Sequence, residues 1–143
     1  MIPSLKKIVT MEKTEGRYAF NMTRQAFLAT RLRVARTHYQ RLMGLMGTSP
    51  STFQDGQGLW IVPCHGVHTL AMRFPIDVIY LDKENRVIRI ADNVRPWRIT
   101  PVLVDCATVI ELPAHTAWNT GTRLGDEIEI KVTQGVGDEL VRS

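Results

Sequence analysis

Only two cysteines, Cys64 and Cys106, occur in 143 residues. That excludes a disulfide scaffold and a cysteine-only zinc site. In a reducing compartment both stay free thiols. Aromatic residues are sparse, at 7%, and they do not interleave with basic residues as single-strand nucleic-acid binders require. No apolar run approaches the roughly 20 residues of a membrane-spanning helix. The opening Met1-Ile2-Pro3-Ser4-Leu5-Lys6-Lys7-Ile8-Val9 leads into no apolar stretch long enough for a signal peptide, so a cytoplasmic chain without a transmembrane segment is expected. Acidic residues are scarce in the first third. Residues 1–41 hold nine Lys and Arg against Glu12 and Glu15, a net +7, while the remainder is −3. A basic third can meet nucleic acid or an anionic surface, but a solvated face explains it more simply. There is no internal repeat and no low-complexity segment.

What is present is an ordinary globular composition, 44% hydrophobic and 22% charged, with room for one core. We expect a loosely anchored arm over residues 1–25, a single β-rich domain over 26–133 and a frayed tail over 134–143. Residues 26–35 alternate in their second half, Leu28, Leu32 and Val34 against Arg31 and Arg33, as a half-buried strand does. The period then changes. Thr37 can cap a helix, Leu42, Leu45 and Met46 follow at helical spacing, and Gly47 and Pro50 close it. One short helix over 37–46 is expected, with Met43 and Met46 facing the core. Further strands are read at 59–62, 76–81, 86–91, 108–112 and 127–132. Asp82-Lys83-Glu84-Asn85 forms a hairpin loop with Asn85 left-handed. The fold class is mainly β (α+β): a compact, barrel-like or sandwich-like sheet, antiparallel or mixed, of short strands with one short helix.

Chemistry-bearing residues concentrate in 58–82, where Cys64, His65, His68 and Arg73 lie between two apolar runs and Asp77 interrupts the second. Polar groups between buried segments are costly unless something satisfies them. Cys64, His65 and His68 suit zinc in residue type, but their spacing matches no familiar paired-ligand motif. Cys64 and His68, oriented by Asp77 or Asp105, suit acyl transfer, but no nucleophile elbow accompanies them. A structural role weighs more: His68 locking a loop crossing, and Asp77 accepting backbone N–H groups or pairing with Arg73. Trp60, Trp97 and Trp118 either line a groove, as at Pro96-Trp97-Arg98, or close the ends of a small barrel. Cys106 reads as buried filler, and Glu111 lacks a partner carboxylate for acid–base work.

Three ordered motifs carry a family resemblance. Arg41-Leu42-Met43-Gly44-Leu45-Met46 resembles a helix end of the form R-x-x-G-L-M. Met72 to Asp82, with Pro75, Asp77 and Tyr80 at matching positions, resembles that family's central strand. Ile110-Glu111-Leu112-Pro113-Ala114, followed by Gly121 and Gly125-Asp126, is similar to its E-L-P-A-G ending. The family is domain-of-unknown-function family 192, small β-rich proteins of bacteria and archaea. The match covers about residues 28–132. The chain departs at His115, where the family has Gly, and over Pro63 to Thr69, where many members carry a different block. The resemblance implies a fold and a region of interest, and no activity.

The leading expectation is therefore a non-enzymatic or accessory domain that binds a small molecule or peptide near Cys64–Asp77, through Trp60, His65, His68, Arg73, Asp77 and Trp97, with no cofactor. The alternatives are a hydrolase or metal-assisted enzyme using Cys64, His68 and Asp77, and a weak nucleic-acid binder using the basic first third.

Overall fold

A computed structural model of the chain describes residues 16–133. Its strands are β1 (Gly16–Asn21), β2 (Ala26–Ala29), β3 (Arg31–Ala35), β4 (Gln57–Ile61), β5 (Ile76–Leu81), β6 (Val87–Val94), β7 (Thr108–Pro113) and β8 (Ile128–Thr133). Two short helices join them, α1 (His38–Met43) and α2 (Thr116–Thr120). The strands form two sheets, β2-β1-β8 and β3-β4-β7-β5-β6. The second is mixed: β3 runs parallel to β4 and the other pairs are antiparallel. The fold is thus mainly β and sandwich-like. The barrel alternative is corrected, because these are two separate sheets and no closed barrel. The single expected helix becomes two.

The five-stranded sheet is covered on both faces, and two of its interior strands show it. Every residue of β5 and of β7 is buried, as the near-continuous apolar run at 76–81 predicts. On one face Ile79, Leu81, Ile110 and Leu112 pack against Ala19, Leu28, Ala29 and Ile128 of the three-stranded sheet. On the other, Ile76, Val78, Tyr80 and Val109 meet Leu45, Phe53, Met72 and Cys106 from the loops. Cys106 is filler there, as expected, with its thiol donating to the Thr108 carbonyl at 3.1 Å.

The strand read over 26–35 is two strands. The chain bends at Thr30, and the N–H groups of Thr30 and Arg31 both donate to the Gly56 carbonyl at 2.9 Å. β2 goes to one sheet and β3 to the other. The expected arm over 1–25 falls outside the described residues up to Glu15. Residues 16–21 form β1, paired with β2 on one side and β8 on the other. The expected tail over 134–143 also lies outside the described residues.

α1 starts where the sequence places it. Thr37 accepts the N–H of Gln40, whose side chain accepts the N–H of Thr37, a reciprocal capping box. It ends earlier than expected, at Gly44, whose φ of +49° takes the chain out of the helix. Six residues are too few to bury a face: Leu42 is 62% exposed and Tyr39 71%. Leu45 reaches the core from the turn after the helix, and Met43 and Met46 are half-buried. Asn85 takes φ +60° in the β5–β6 turn, as expected.

Candidate functional site

A cleft of about 590 Å³ opens over the face of the large sheet opposite the small one. α1 and the glycine that ends it give one wall, through His38, Arg41, Leu42 and Gly44. The segment that follows the cis Val62–Pro63 peptide gives a second, through Cys64, His65, Val67, His68 and Leu70. Ile99, Thr100 and Val102 complete it. The two loop walls are sewn together. His68 and Ile99 form a β-bridge, the Val67 N–H and carbonyl both bond the Thr100 hydroxyl at 2.9 Å, and the Thr69 hydroxyl donates to Arg95 O at 2.6 Å.

Among the described residues, Arg41 is the only permanently charged one in this lining, and no Asp or Glu lines it. Its Nη1 donates to the Pro63 carbonyl at 3.2 Å and its Nη2 to His38 Nδ1 at 2.8 Å. Its Nε is buried with no partner among the described residues. The imidazoles are set by what their Nδ1 atoms meet. His38 Nδ1 accepts from Arg41, and His68 Nδ1 accepts the Leu70 N–H at 3.2 Å, so each neutral ring carries its proton on Nε2. His65 Nδ1 lies 2.6 Å from the Cys106 carbonyl. A carbonyl only accepts, so His65 donates there and keeps Nε2 as an acceptor.

Cys64 is half-buried, its S–H directed at the Gly66 carbonyl at 3.1 Å. Burial pushes its thiol above the ordinary cysteine range, against the lowering effect of that bond, and Glu111 adds to the rise while Arg41 opposes it. Glu111 projects from β7 on the cleft side of the sheet, in register with Leu59 and Val78. It is 2% exposed, and its Oε2 has no partner among the described residues. Burial holds its carboxyl up at about 8, only partly offset by Arg33 on β3. A Cβ on Gly44 would sit 3.4 Å from Glu111 Oε1, so the bare glycine and the neutral carboxyl share the space behind the cleft wall.

The six expected site residues separate. His65 and His68 line the cleft with Cys64. Asp77 does not. It is fully buried, accepts the N–H of Asn93 at 2.8 Å and of Ala117 at 2.9 Å, and so anchors the start of α2 from β5. Trp60 packs on the opposite face, against the first core cluster, with the Arg36 guanidinium 5.9 Å above its ring. Arg73 is exposed. Trp97 is 64% exposed and tied to the cleft edge by its N–H to the Thr69 carbonyl at 2.9 Å. Trp118 is 87% exposed, so neither indole closes an end of the fold. Among the described residues no three His, Cys, Asp or Glu side chains gather closely enough to hold a metal ion. Of the described basic residues of the first third, three are drawn to different places: Arg24 pairs with Asp126 at 3.0 Å, Arg36 lies over Trp60 and Arg41 is in the cleft.

Sequence reasoning missed Arg41 and Glu111 as members of one region. The available signal was that both sit inside the two outer motifs, a cation beside a glycine and a lone carboxylate in an apolar run.

Among solved structures, a protein of unknown function from Novosphingobium aromaticivorans matches with a TM-score of 0.68 at 23% identity, over 79% of this chain and 82% of that one. A candidate transcription regulator from Sinorhizobium meliloti matches with a TM-score of 0.61 at 19% identity, over 80% and 94%. At these identities the likeness is one of fold. No curated protein matches the chain. The family model described as Uncharacterized ACR matches residues 19–130, and on that span of motif and fold the chain belongs to the DUF192 family.

Proposed function

We propose that this protein is a non-enzymatic, cytoplasmic binding domain whose ligand, a small molecule or short peptide, occupies the cleft between α1, residues 63–70 and residues 99–102. The observation that carries this reading is the cleft itself: about 590 Å³ of concave space within the size range of ligand sites. Its rim is apolar and exposed at Leu42, Ile99 and Val102, at 62%, 76% and 71%, and its polar groups are few and held in place. Catalysis finds less support. Cys64 is bonded to a carbonyl rather than to a base, and Asp77 is occupied elsewhere by two backbone N–H groups.

Thermal-shift screening with metabolite and tripeptide libraries tests the reading. A hit that raises Tm and moves the NMR methyl signals of Leu42, Val67 and Ile99 supports it. Hits that move only signals outside the cleft, or libraries without a hit, overturn it.

A further inference from the structure

We infer that the cleft selects a monocarboxylate bearing an aliphatic chain, with the carboxylate seated on Arg41 and the chain lying along Leu42, Leu70, Ile99 and Val102. This rests on the cleft being the ligand site.

The charge inventory comes first. Among the described residues the lining has one permanent cation and no carboxylate, so an anion is attracted and a cation repelled. The guanidinium is already immobilised by the Pro63 carbonyl and His38 Nδ1, so little further side-chain freedom is lost on binding. Its Nε is buried out of a ligand's reach, but Nη1 and Nη2 each keep a second N–H beyond those two bonds, and these are the donors left for a ligand. A planar carboxylate matches a guanidinium edge. His38 and His68 add N–H donors at Nε2 through the tautomers fixed above.

One positive charge favours one negative charge. Behind Gly44 lies Glu111, neutral at pH 7 because burial holds it at about 8. The titratable and charged groups that act on it are Arg33 from β3 and Cys64 from the cleft wall, while Leu59 and Val78 beside it on β4 and β5 are apolar. A neutral Glu111 tolerates a monoanion in the cleft, and an ionised one repels it. The exposed apolar rim then takes the rest of the ligand. Leu42, Leu70, Ile99 and Val102 are 62%, 38%, 76% and 71% exposed, a grouping that an aliphatic chain would cover. Either a free aliphatic acid or the carboxyl terminus of a peptide ending in an apolar residue has this chemistry.

The test is methyl-detected NMR titration of the whole chain at pH 7 with hexanoate, hexanol, hexylamine, and the peptide Ala-Ala-Leu with a free or an amidated terminus. Hexanoate or the free peptide is expected to bind about tenfold or more tighter than its uncharged counterpart, the factor of one charge-assisted contact. R41Q is expected to remove that preference while still binding hexanol, which also reports that its cleft is intact. Raising the pH from 7 to 9 is expected to weaken carboxylate binding in the native protein and to leave E111Q unaffected. The stronger of hexanoate and free peptide identifies the source. Hexanol or hexylamine binding in the cleft as tightly as hexanoate overturns the carboxylate inference and leaves the binding reading standing. If no probe or library member moves a cleft methyl, both fall.

Discussion

Replacing Glu111 with Gln is expected to stabilise the protein near neutral pH, and the gain should grow with pH. Glu111 is buried, its Oε2 unpartnered among the described residues, and its carboxyl held at about 8 against an ordinary value of 4.5. Below pH 4.5 the side chain is protonated in both folded and unfolded chains and exerts no pH-linked effect. Between 4.5 and 8 the unfolded chain ionises and the folded one does not. Stability therefore falls as pH rises through that window, by about 1.4 kcal/mol per unit. At pH 7 the loss is about 3 kcal/mol, a large share of the 5–15 kcal/mol typical of a domain. The amide is nearly isosteric and does not titrate. Urea unfolding of both proteins from pH 5 to 8.5 should give curves that lie close at pH 5, diverge up to about pH 8 and level off to a constant gap above it. The opposing group, Asp126, acts below this window. Burial alone would raise it, but hydrogen bonds from Asn21 and Arg24 hold it below the ordinary carboxylate range, so its contribution is lost only as pH falls through that lower value. Parallel curves, separated by the same amount at every pH, would refute the claim that Glu111 is buried and neutral.

Asp77→Ala leaves the N–H groups of Asn93 and Ala117 without their acceptor and should cost about 2–4 kcal/mol in urea unfolding. Asp77→Asn, which retains one acceptor oxygen, should cost less; equal losses would show that the carboxylate bonds are not what Asp77 supplies. Cys64 should react with a disulfide reagent at pH 7.5 about tenfold or more slowly than a free cysteine, since burial raises its thiol, and reaction at the free-thiol rate would revive the nucleophile reading. His115 holds φ +75° at the start of α2, a left-handed conformation that disfavours any residue with a Cβ. His115→Gly should raise stability by about 1 kcal/mol, seen as a higher Tm, and a lower Tm would mean that the imidazole makes an undetected contribution.

The fold was legible wherever one face dominates the pattern. The alternation at 31–35, the doubly buried run at 76–81 and the strand before Pro113 all read directly, because burial sets the period of a strand. The division of 26–35 into two sheets was not legible, since it depends on the Gly56 carbonyl, 26 residues beyond Thr30. The length of α1 was overread because Leu42, Leu45 and Met46 keep helical spacing across Gly44, where the backbone has already turned. His65 and His68 stand out in the sequence because reactive side chains lie there at close spacing, and both line the cleft. Arg41 and Glu111 were not joined to them, because the pairing of β4 with β7 and the turn at Gly44 bring them into one region from 70 residues apart. Asp77 reads as part of a strand, and it lies in β5 with its two carboxylate oxygens accepting the N–H groups of Asn93 and Ala117.

The pairing of β1 with β8 also sets an order of events. Gly16 lies opposite Thr133 and Asn21 opposite Ile128, so the earliest described strand finds its second neighbour only in the last. During synthesis β1 can form a hairpin with β2, but two strands alone are marginal in water. Its small sheet can be completed, and the face holding Ile79 and Ile110 covered, only after residue 133 has emerged. Such distant closure is slow. Until then the apolar face of the largest sheet has no β8 to help cover it, which is the kind of surface that makes a partly folded chain prone to aggregate.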